Sequence, residues 1–174
     1  MTFWPLSSTK LKPLIAQRYP IDAQRQTLFG HSYGGLFTLY TLLSKPQAFQ
    51  GYVAASPSIW WYKGYVERTL AAFERQLAKQ PVGAHLLVTA GGAEQPAADA
   101  DMDDPRQRHM AERRMVGNAR DLVERLQRLS SQGLHSEFQL FPGANHGTNA
   151  THSSVVALAL TAAIGRQPSR DQDD

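Results

Sequence analysis

Gly30-His31-Ser32-Tyr33-Gly34 is the stretch that decides how the rest of the chain is interpreted. An apolar run, 27–29, leads into it, and an apolar run with helical character, 36–43, leads out of it. G-x-S-x-G between a strand and a helix is typical of a tight turn that lifts the serine hydroxyl above the strand end. We expect the flanking glycines to leave room for that turn, and the helix N-terminus favours a developing negative charge. Ser32 is therefore a candidate nucleophile.

The composition is that of a single globular domain. The chain has 174 residues, 42% hydrophobic and 19% charged, which is long enough to bury a sizeable core. The net charge is +3 and the basic residues are scattered, so nucleic acid is not an expected partner. Cysteine is absent, which excludes a disulfide framework, a thiolate nucleophile and a cysteine-based zinc site. No run is apolar enough to cross a bilayer and no secretory signal follows Met1, so no membrane partner is predicted and the compartment stays open.

Predicted strands and helices alternate along the chain. Short buried strands are predicted over 25–29, 51–55, 85–90 and 136–141, and helices over 7–18, 36–43, 64–79, 106–130 and 153–164. This alternation predicts an α/β fold in which helices flank a parallel sheet, with about four βα units. We expect one domain over 1–166 and a disordered polar tail over 167–174.

The base that would take the proton of the serine is expected to be a histidine, and His146 is the first candidate. It follows the last predicted strand on a glycine-flanked loop, and it comes after Ser32 in the chain order that this motif uses. His152, just before the last predicted helix, is the fallback. His31 is expected to pack under the turn with its side chain directed away from Ser32.

An acidic partner for the histidine is expected after the third predicted strand, because sites of this kind form at the carboxyl ends of parallel strands. Glu94 is nearest to the strand end, and Asp99 and Asp101 follow on the same loop. The alternative is that this acidic run is only a solvated loop. The spacing also resembles the start of a calcium loop, but Asp104 and Met110 stand where a glycine and a glutamate are needed, so no metal is predicted.

Two further features complete the candidate site. The backbone N–H of Tyr33, the residue after the serine, is expected to be one donor to an oxyanion. A second donor normally comes from a loop after an earlier strand, and this chain has no predicted strand before 25–29. Trp60 and Trp61 follow the second strand beside Tyr62, and three aromatic residues in a row cannot all point inward. At least one of the three is therefore expected to line the mouth of a substrate pocket, with Trp60 and Trp61 as the candidates. The alternative is packing in the core or on the surface.

With these residues assembled, the chain resembles the C-terminal portion of an α/β-hydrolase of the putative esterase (esterase D-like) superfamily. Within it, the resemblance is closest to bacterial siderophore esterases that hydrolyse enterobactin- and salmochelin-type trilactones. Three segments carry the resemblance: 30–37, 55–58 and 141–147. The resemblance implies ester hydrolysis without a cofactor, with Ser32 as nucleophile, His146 as base, and a small ester or ferric siderophore as partner. Some members of the family work as a Ser–His dyad.

The resemblance also implies that family members carry an N-terminal half that this chain lacks. We therefore expect a fragment in which the strand before Ser32, 25–29, lies at a sheet edge, free to pair with another chain. The alternatives to a siderophore esterase are an esterase or thioesterase for another acyl group, an inactive hydrolase-like domain, and a binding module that uses the aromatic edge.

Overall fold

The computed structural model describes residues 10–62 and 65–164, without the side chains of Tyr62 and Glu67. The four strands are β1 (Thr27–His31), β2 (Gly51–Ala55), β3 (Ala84–Gly91) and β4 (Leu134–Phe141). The α-helices are α1 (Lys12–Arg18), α2 (Tyr33–Ser44), α3 (Tyr65–Lys79), α4 (Pro105–Arg113), α5 (Met115–Gln127) and α6 (His146–Ala163). Short 3₁₀ turns lie at Pro46–Ala48, Ile59–Tyr62, Gly92–Glu94 and Ser130–Gln132.

All strand pairs are parallel, and the strands lie in the order β1-β2-β3-β4. Each crossover therefore carries at least one helix, as parallel neighbours require. This arrangement confirms the predicted fold class of a parallel sheet flanked by helices. Among the residues that the structure describes, β1 pairs only with β2, so this strand, which runs into Ser32, lies at an edge of the described sheet.

The core lies mostly on one face of the sheet. Helices α2, α3 and α5 contribute the larger apolar cluster there, which includes Leu42, Phe73 and Leu126, all essentially inaccessible to solvent. On the other face α6 contributes a smaller cluster, in which Ala157 packs against Val53 of β2 and Leu87 of β3. Because helices pack on both faces of the sheet, all five residues of β2 are buried.

The predicted long helix over 106–130 is wrong as a single element, because it divides into α4 and α5 at Arg114. That residue adopts the left-handed conformation with φ 44° and ψ 44°. The Asn118 amide donates to the carbonyl of Arg113 at 2.9 Å and so satisfies an acceptor at the break. The two halves also differ in burial. None of the α4 residues is buried, whereas α5 buries one face, formed by Met115, Val116, Ala119, Leu122, Val123 and Leu126.

The last helix begins at His146 and not at 153 as predicted. Asn145 is its N-cap: the Asn145 side chain accepts from the N–H of Thr148 at 3.0 Å, and the Thr148 hydroxyl accepts from the N–H of Asn145 at 2.9 Å. This reciprocal capping starts the helix within the segment predicted as a loop. Strand β1 also lies two residues later than predicted, at Thr27–His31. The predicted cap residues 7–9 and the predicted tail 167–174 lie outside the described residues.

Within residues 10–62 and 65–164, none of the helices has the length and hydropathy required to cross a membrane. The same described residues contain no cluster of three or more histidine, aspartate or glutamate side chains suited to a metal ion.

Candidate active site

Ser32 lies at the turn between β1 and α2 in a strained backbone conformation, with φ 58° and ψ −116°. Its N–H donates to the carbonyl of Ala55 at 2.9 Å, which ties the turn to the end of β2. A Cβ at Gly30 would overlap the backbone of Gly34, and a Cβ at Gly35 would lie 2.9 Å from the Ala55 oxygen. Gly34 itself has open space where a Cβ would stand. The expectation of crowding on both sides of the serine therefore holds at Gly30 but not at Gly34.

Three of the side chains singled out in the sequence meet at the carboxyl ends of the strands. The Nε2 atom of His146 lies 3.1 Å from the Oγ of Ser32, and its Nδ1 lies 2.7 Å from an oxygen of Glu94. Because a carboxylate can only accept, we place the imidazole proton on Nδ1, which leaves Nε2 to accept the serine proton. This is the geometry of a nucleophile, a base and an orienting acid.

Glu94 is enclosed, with its side chain only 3% exposed, whereas the side chain of His146 is 48% exposed. One Glu94 oxygen accepts from the N–H of Gly91 at 2.7 Å and from the hydroxyl of Ser56 at 2.5 Å. The other oxygen faces His146. These three hydrogen bonds match an ionised carboxylate and direct one of its oxygens at the imidazole.

The remaining acids of the loop take the alternative role of solvated turn residues. Asp101 accepts from the N–H of Asp103 at 2.8 Å, and Asp104 caps α4 by accepting from the N–H of Arg106 at 2.9 Å. Asp99 and Asp101 are exposed. Only Glu94 of the candidate acids contacts the histidine.

His31 lies beside His146 and not away from the site, which sequence reasoning missed. Its Nε2 donates to the carbonyl of His146 at 2.8 Å, and the two ring centroids are 4.5 Å apart. His152, the fallback base, instead bonds the carbonyl of Thr148 at 3.0 Å and stacks on Phe141 at 5.1 Å. The structure thus brings His146, and not His152, to Ser32.

Tyr33 is the first residue of α2, so its N–H has no acceptor within the helix. It stays available for the predicted oxyanion role. The hydroxyl of Ser58 lies 3.4 Å from that of Ser32, a neighbour that sequence reasoning did not assign to the site. Ser58 is buried and its N–H donates to the carbonyl of Ser32 at 3.2 Å.

A cavity of about 300 Å³ opens over Ser32 and His146. Trp60 lines this cavity, whereas Trp61 is absent from its lining, is 59% exposed and lies edge-on to the Tyr33 ring at 5.1 Å. One of the two predicted aromatic residues therefore faces the candidate substrate space.

Helix α4 forms a wall of the cavity through Arg106, His109, Met110 and Arg113. The guanidinium of Arg113 lies over the Trp60 ring at 4.6 Å, and its buried Nε has no hydrogen-bond partner. Sequence reasoning missed this wall because it assigned these residues to the first turns of one long helix. The available signal was the spacing 106, 110 and 113, which places these residues on one helical face.

Comparisons with known proteins identify the family of the chain. The family model described as putative esterase matches residues 4–155. A ferri-bacillibactin esterase of Bacillus subtilis is 42% identical over 144 residues, 83% of this chain and 45% of the relative. A siderophore triacetylfusarinine C esterase of Aspergillus fumigatus is 36% identical over 167 residues, 91% of this chain and 56% of the relative. The crystal structure of BES protein from Bacillus cereus superposes with a TM-score of 0.72 at 30% identity, over 92% of this chain and 54% of that one.

The chain spans about half the length of the curated relatives it matches. The solved relatives are likewise matched over about half of their chains. The match to them shows that the four strands and flanking helices belong to an α/β-hydrolase-like esterase fold.

Proposed function

The chain belongs to the putative esterase family, and from this premise we propose that it is a serine hydrolase of carboxylic esters, with a siderophore ester as substrate. The observation that carries the proposal is the continuous set of contacts from Glu94 through His146 to Ser32. Each partner lies within hydrogen-bond distance of the next, as acyl transfer through a serine requires.

In this mechanism Ser32 attacks the ester carbonyl while His146 accepts the serine proton at Nε2. The tetrahedral oxyanion is held by the N–H of Tyr33 at the start of α2. His146 then gives the proton to the leaving alcohol, which leaves an acyl group on Ser32. Water, deprotonated by His146, then attacks this acyl group. The bond to Ser32 Oγ breaks, His146 returns the proton to that oxygen, and the carboxylic acid is released. Glu94 holds the imidazole in the required tautomer and stabilises the imidazolium.

The substrate proposal has two supports. The two curated relatives reported above are named as siderophore esterases. In this chain the cavity beside Ser32 also combines the aromatic face of Trp60 with the side chains of Arg106 and Arg113. Such a wall suits an acyl group with an aromatic ring and anionic oxygens, because guanidinium groups bind such oxygens and stack on rings.

Labelling with a fluorophosphonate probe tests whether Ser32 is a working nucleophile. We expect the folded wild-type protein to be labelled and Ser32→Ala to be unlabelled. Ser154→Ala, which removes an exposed hydroxyl on α6, is the matched control and should label normally. Absence of label on folded wild-type protein contradicts the proposal and favours an inactive hydrolase-like domain.

Substrate profiling separates the siderophore proposal from an esterase or thioesterase for another acyl group. A catecholate trilactone, a p-nitrophenyl butyrate and an acyl thioester are compared by kcat/KM on the same preparation. The trilactone is expected to be the best substrate. A trilactone turned over no faster than the short ester contradicts the substrate proposal while leaving ester hydrolysis intact. A binding module is identified instead if the wild-type protein turns over none of the three substrates and Ser32→Ala still binds the trilactone.

A further inference from the structure

Four polar side chains lie buried beneath Glu94, and the mechanism above does not use them. They belong to Ser56, Thr89, Asn149 and Ser153, and each residue is fully inaccessible to solvent. Buried polar groups are costly unless they are hydrogen-bonded, so a connected set of this kind calls for a physical reason.

The direction of the hydrogen bonds follows from the charge of Glu94. An ionised carboxylate only accepts, so the single hydroxyl proton of Ser56 points at Oε1 of Glu94. The two oxygen atoms are 2.5 Å apart. The Ser56 oxygen must then accept from its other neighbour, and the Nδ2 of Asn149 lies 2.7 Å from it. This fixes the Asn149 amide with its NH₂ group toward Ser56, because the opposite orientation would bring two acceptors together.

The lower end of the network is fixed by the same reasoning. The second Nδ2 proton of Asn149 points at the hydroxyl of Thr89, at 3.2 Å. Ser153 donates its proton to the backbone carbonyl of Asn149 at 2.6 Å, so its oxygen accepts from the Thr89 hydroxyl, also at 2.6 Å. Every side-chain proton is therefore assigned, and the network links α6 to β3 and to the residue that follows β2.

This arrangement has two local costs. The Oδ1 atom of Asn149 is buried without a partner, and such an acceptor is destabilising. Ser56 adopts a left-handed backbone conformation with φ 42°, which disfavours a residue with a side chain. An apolar side chain at 149 and a glycine at 56 would avoid both costs. Both replacements would remove a donor, from Ser56 to Glu94 and from Asn149 to Ser56.

We propose that Ser56 and Asn149 are positioning residues that aim Glu94 at His146, an inference that rests on the proposed function. Ser56 and the N–H of Gly91 hold Oε1 of Glu94, which turns Oε2 toward the imidazole. Asn149 lies one turn after His146 on α6. The helix that presents the base is therefore hydrogen-bonded to the side chain that holds the acid, and the acid and the base keep one geometry.

The kinetic test removes the Ser56 hydroxyl. With p-nitrophenyl butyrate as substrate, Ser56→Ala is expected to lower kcat by about tenfold to a hundredfold, the factor that a hydrogen bond to a charged group is worth, with little change in KM. Ser56→Gly, whose backbone suits φ 42°, should give the same loss without strain. Ser136→Ala is the matched control, because Ser136 is a buried serine on β4 whose Oγ has no partner, and it should keep the wild-type kcat.

A double-mutant cycle separates positioning from a general structural role. If Ser56 acts only through Glu94, Ser56→Ala should lower kcat by less than about twofold in a Glu94→Gln background, because the two effects share one path. Asn149→Leu should lower kcat in the wild-type background and add little to Ser56→Ala. An equal loss from Ser56→Ala in both backgrounds overturns the inference.

Proton NMR supplies a readout that does not need turnover. The Nδ1 nitrogen of His146 lies 2.7 Å from Oε2 of Glu94, and its proton is expected as a downfield resonance that Glu94→Gln removes. Ser56→Ala and Asn149→Leu should move or broaden this resonance, while Ser136→Ala leaves it in place. A resonance unchanged in Ser56→Ala overturns the inference even if the protein is an esterase. A resonance that responds as expected in a protein without turnover supports the inference and contradicts the proposed function alone.

Discussion

Strands β1 and β3 both end at the proposed active site, yet they are held in opposite ways. β3 is paired on both sides and only one of its eight residues is not buried. Within the described part of the chain β1 is paired on one side only, and four of its five residues are not buried, with Phe29 38% exposed. The buried strand leads to Glu94, and the edge strand leads to Ser32.

The site thus has two arms, Glu94 with the groups that hold it and Ser32 with its turn. Different interactions hold the two arms in place. The Glu94 arm depends on a desolvated carboxylate and on hydrogen bonds that are strong because water is excluded. The Ser32 arm depends on backbone geometry, namely the strained turn, the hydrogen bond to Ala55 and the missing Cβ at Gly30. Substitutions around Glu94 should act on chemistry. Substitutions around Ser32, other than at the nucleophile itself, should act on stability and on contacts at the sheet edge.

The largest effect is expected at the β3 end. Glu94→Gln keeps the shape of the side chain but removes the charge that stabilises the imidazolium, so kcat should fall by about 10³- to 10⁴-fold. Steady-state kinetics with p-nitrophenyl butyrate measures this. Asp99→Asn, an exposed acid on the same loop, should leave kcat within about twofold of the wild type. A loss below about tenfold in Glu94→Gln would mean that Ser32 and His146 work as a dyad.

The turn at the β1 end should respond in stability. Gly30→Ala places a Cβ against the backbone of Gly34, and the overlap should lower the free energy of unfolding by about 3 kcal/mol. Gly34→Ala is the matched control, since nothing lies within 4 Å of its Cβ position. There, helix propensity should add up to about 1 kcal/mol of stability. Urea unfolding of both variants decides the point; equal destabilisation would contradict the steric explanation.

The open edge should pair copies of the chain. A groove between β1 and α6 exposes Phe29 and Leu158, the latter 74% exposed, and unpaired strand edges favour association. We expect concentration-dependent dimers in sedimentation velocity, weakened about tenfold by Leu158→Glu, which corresponds to about 1.4 kcal/mol. Met102→Glu, at an exposed apolar residue that lies between β3 and α4 and does not line this groove, should not change association. A wild-type protein that stays monomeric at all concentrations refutes edge pairing.

The smallest effect is expected at His85, at the opposite end of β3 from Glu94, and it concerns how stability depends on pH. Burial lowers the pKa of His85 below its ordinary value of 6.5, the neighbouring His135 lowers it further, and Glu137 opposes the shift. The unfolded chain therefore binds the proton more readily, so stability is full above about pH 6.5 and is lost as the pH falls below it. Thermal unfolding from pH 8 to 5 should show a decrease that His85→Gln reduces. His109→Gln, an exposed histidine on α4, should keep the wild-type profile.

Particular residues show how far sequence reasoning reaches. The strand–turn–helix around Ser32 and the order of Ser32, Glu94 and His146 were predictable, because motif spacing and strand ends are local properties. The break at Arg114 was not, because it depends on a non-glycine residue in the left-handed conformation, which the neighbouring residues do not signal. The start of α6 at His146 depends on reciprocal capping hydrogen bonds between Asn145 and Thr148. A run of polar residues does not by itself predict such hydrogen bonds.

The sequence by itself determined the alternation of strands and helices, the family resemblance and the candidate nucleophile. These follow from hydrophobic periodicity and from short motifs read along the chain. Only the tertiary structure decided which of several acids reaches the histidine, that His31 packs beside it, and that α4 supplies a basic wall. It also revealed the hydrogen bonds that join Asn149 and Ser56 to Glu94. Those contacts connect residues distant in sequence, and their energies depend on burial, which the order of the residues does not specify.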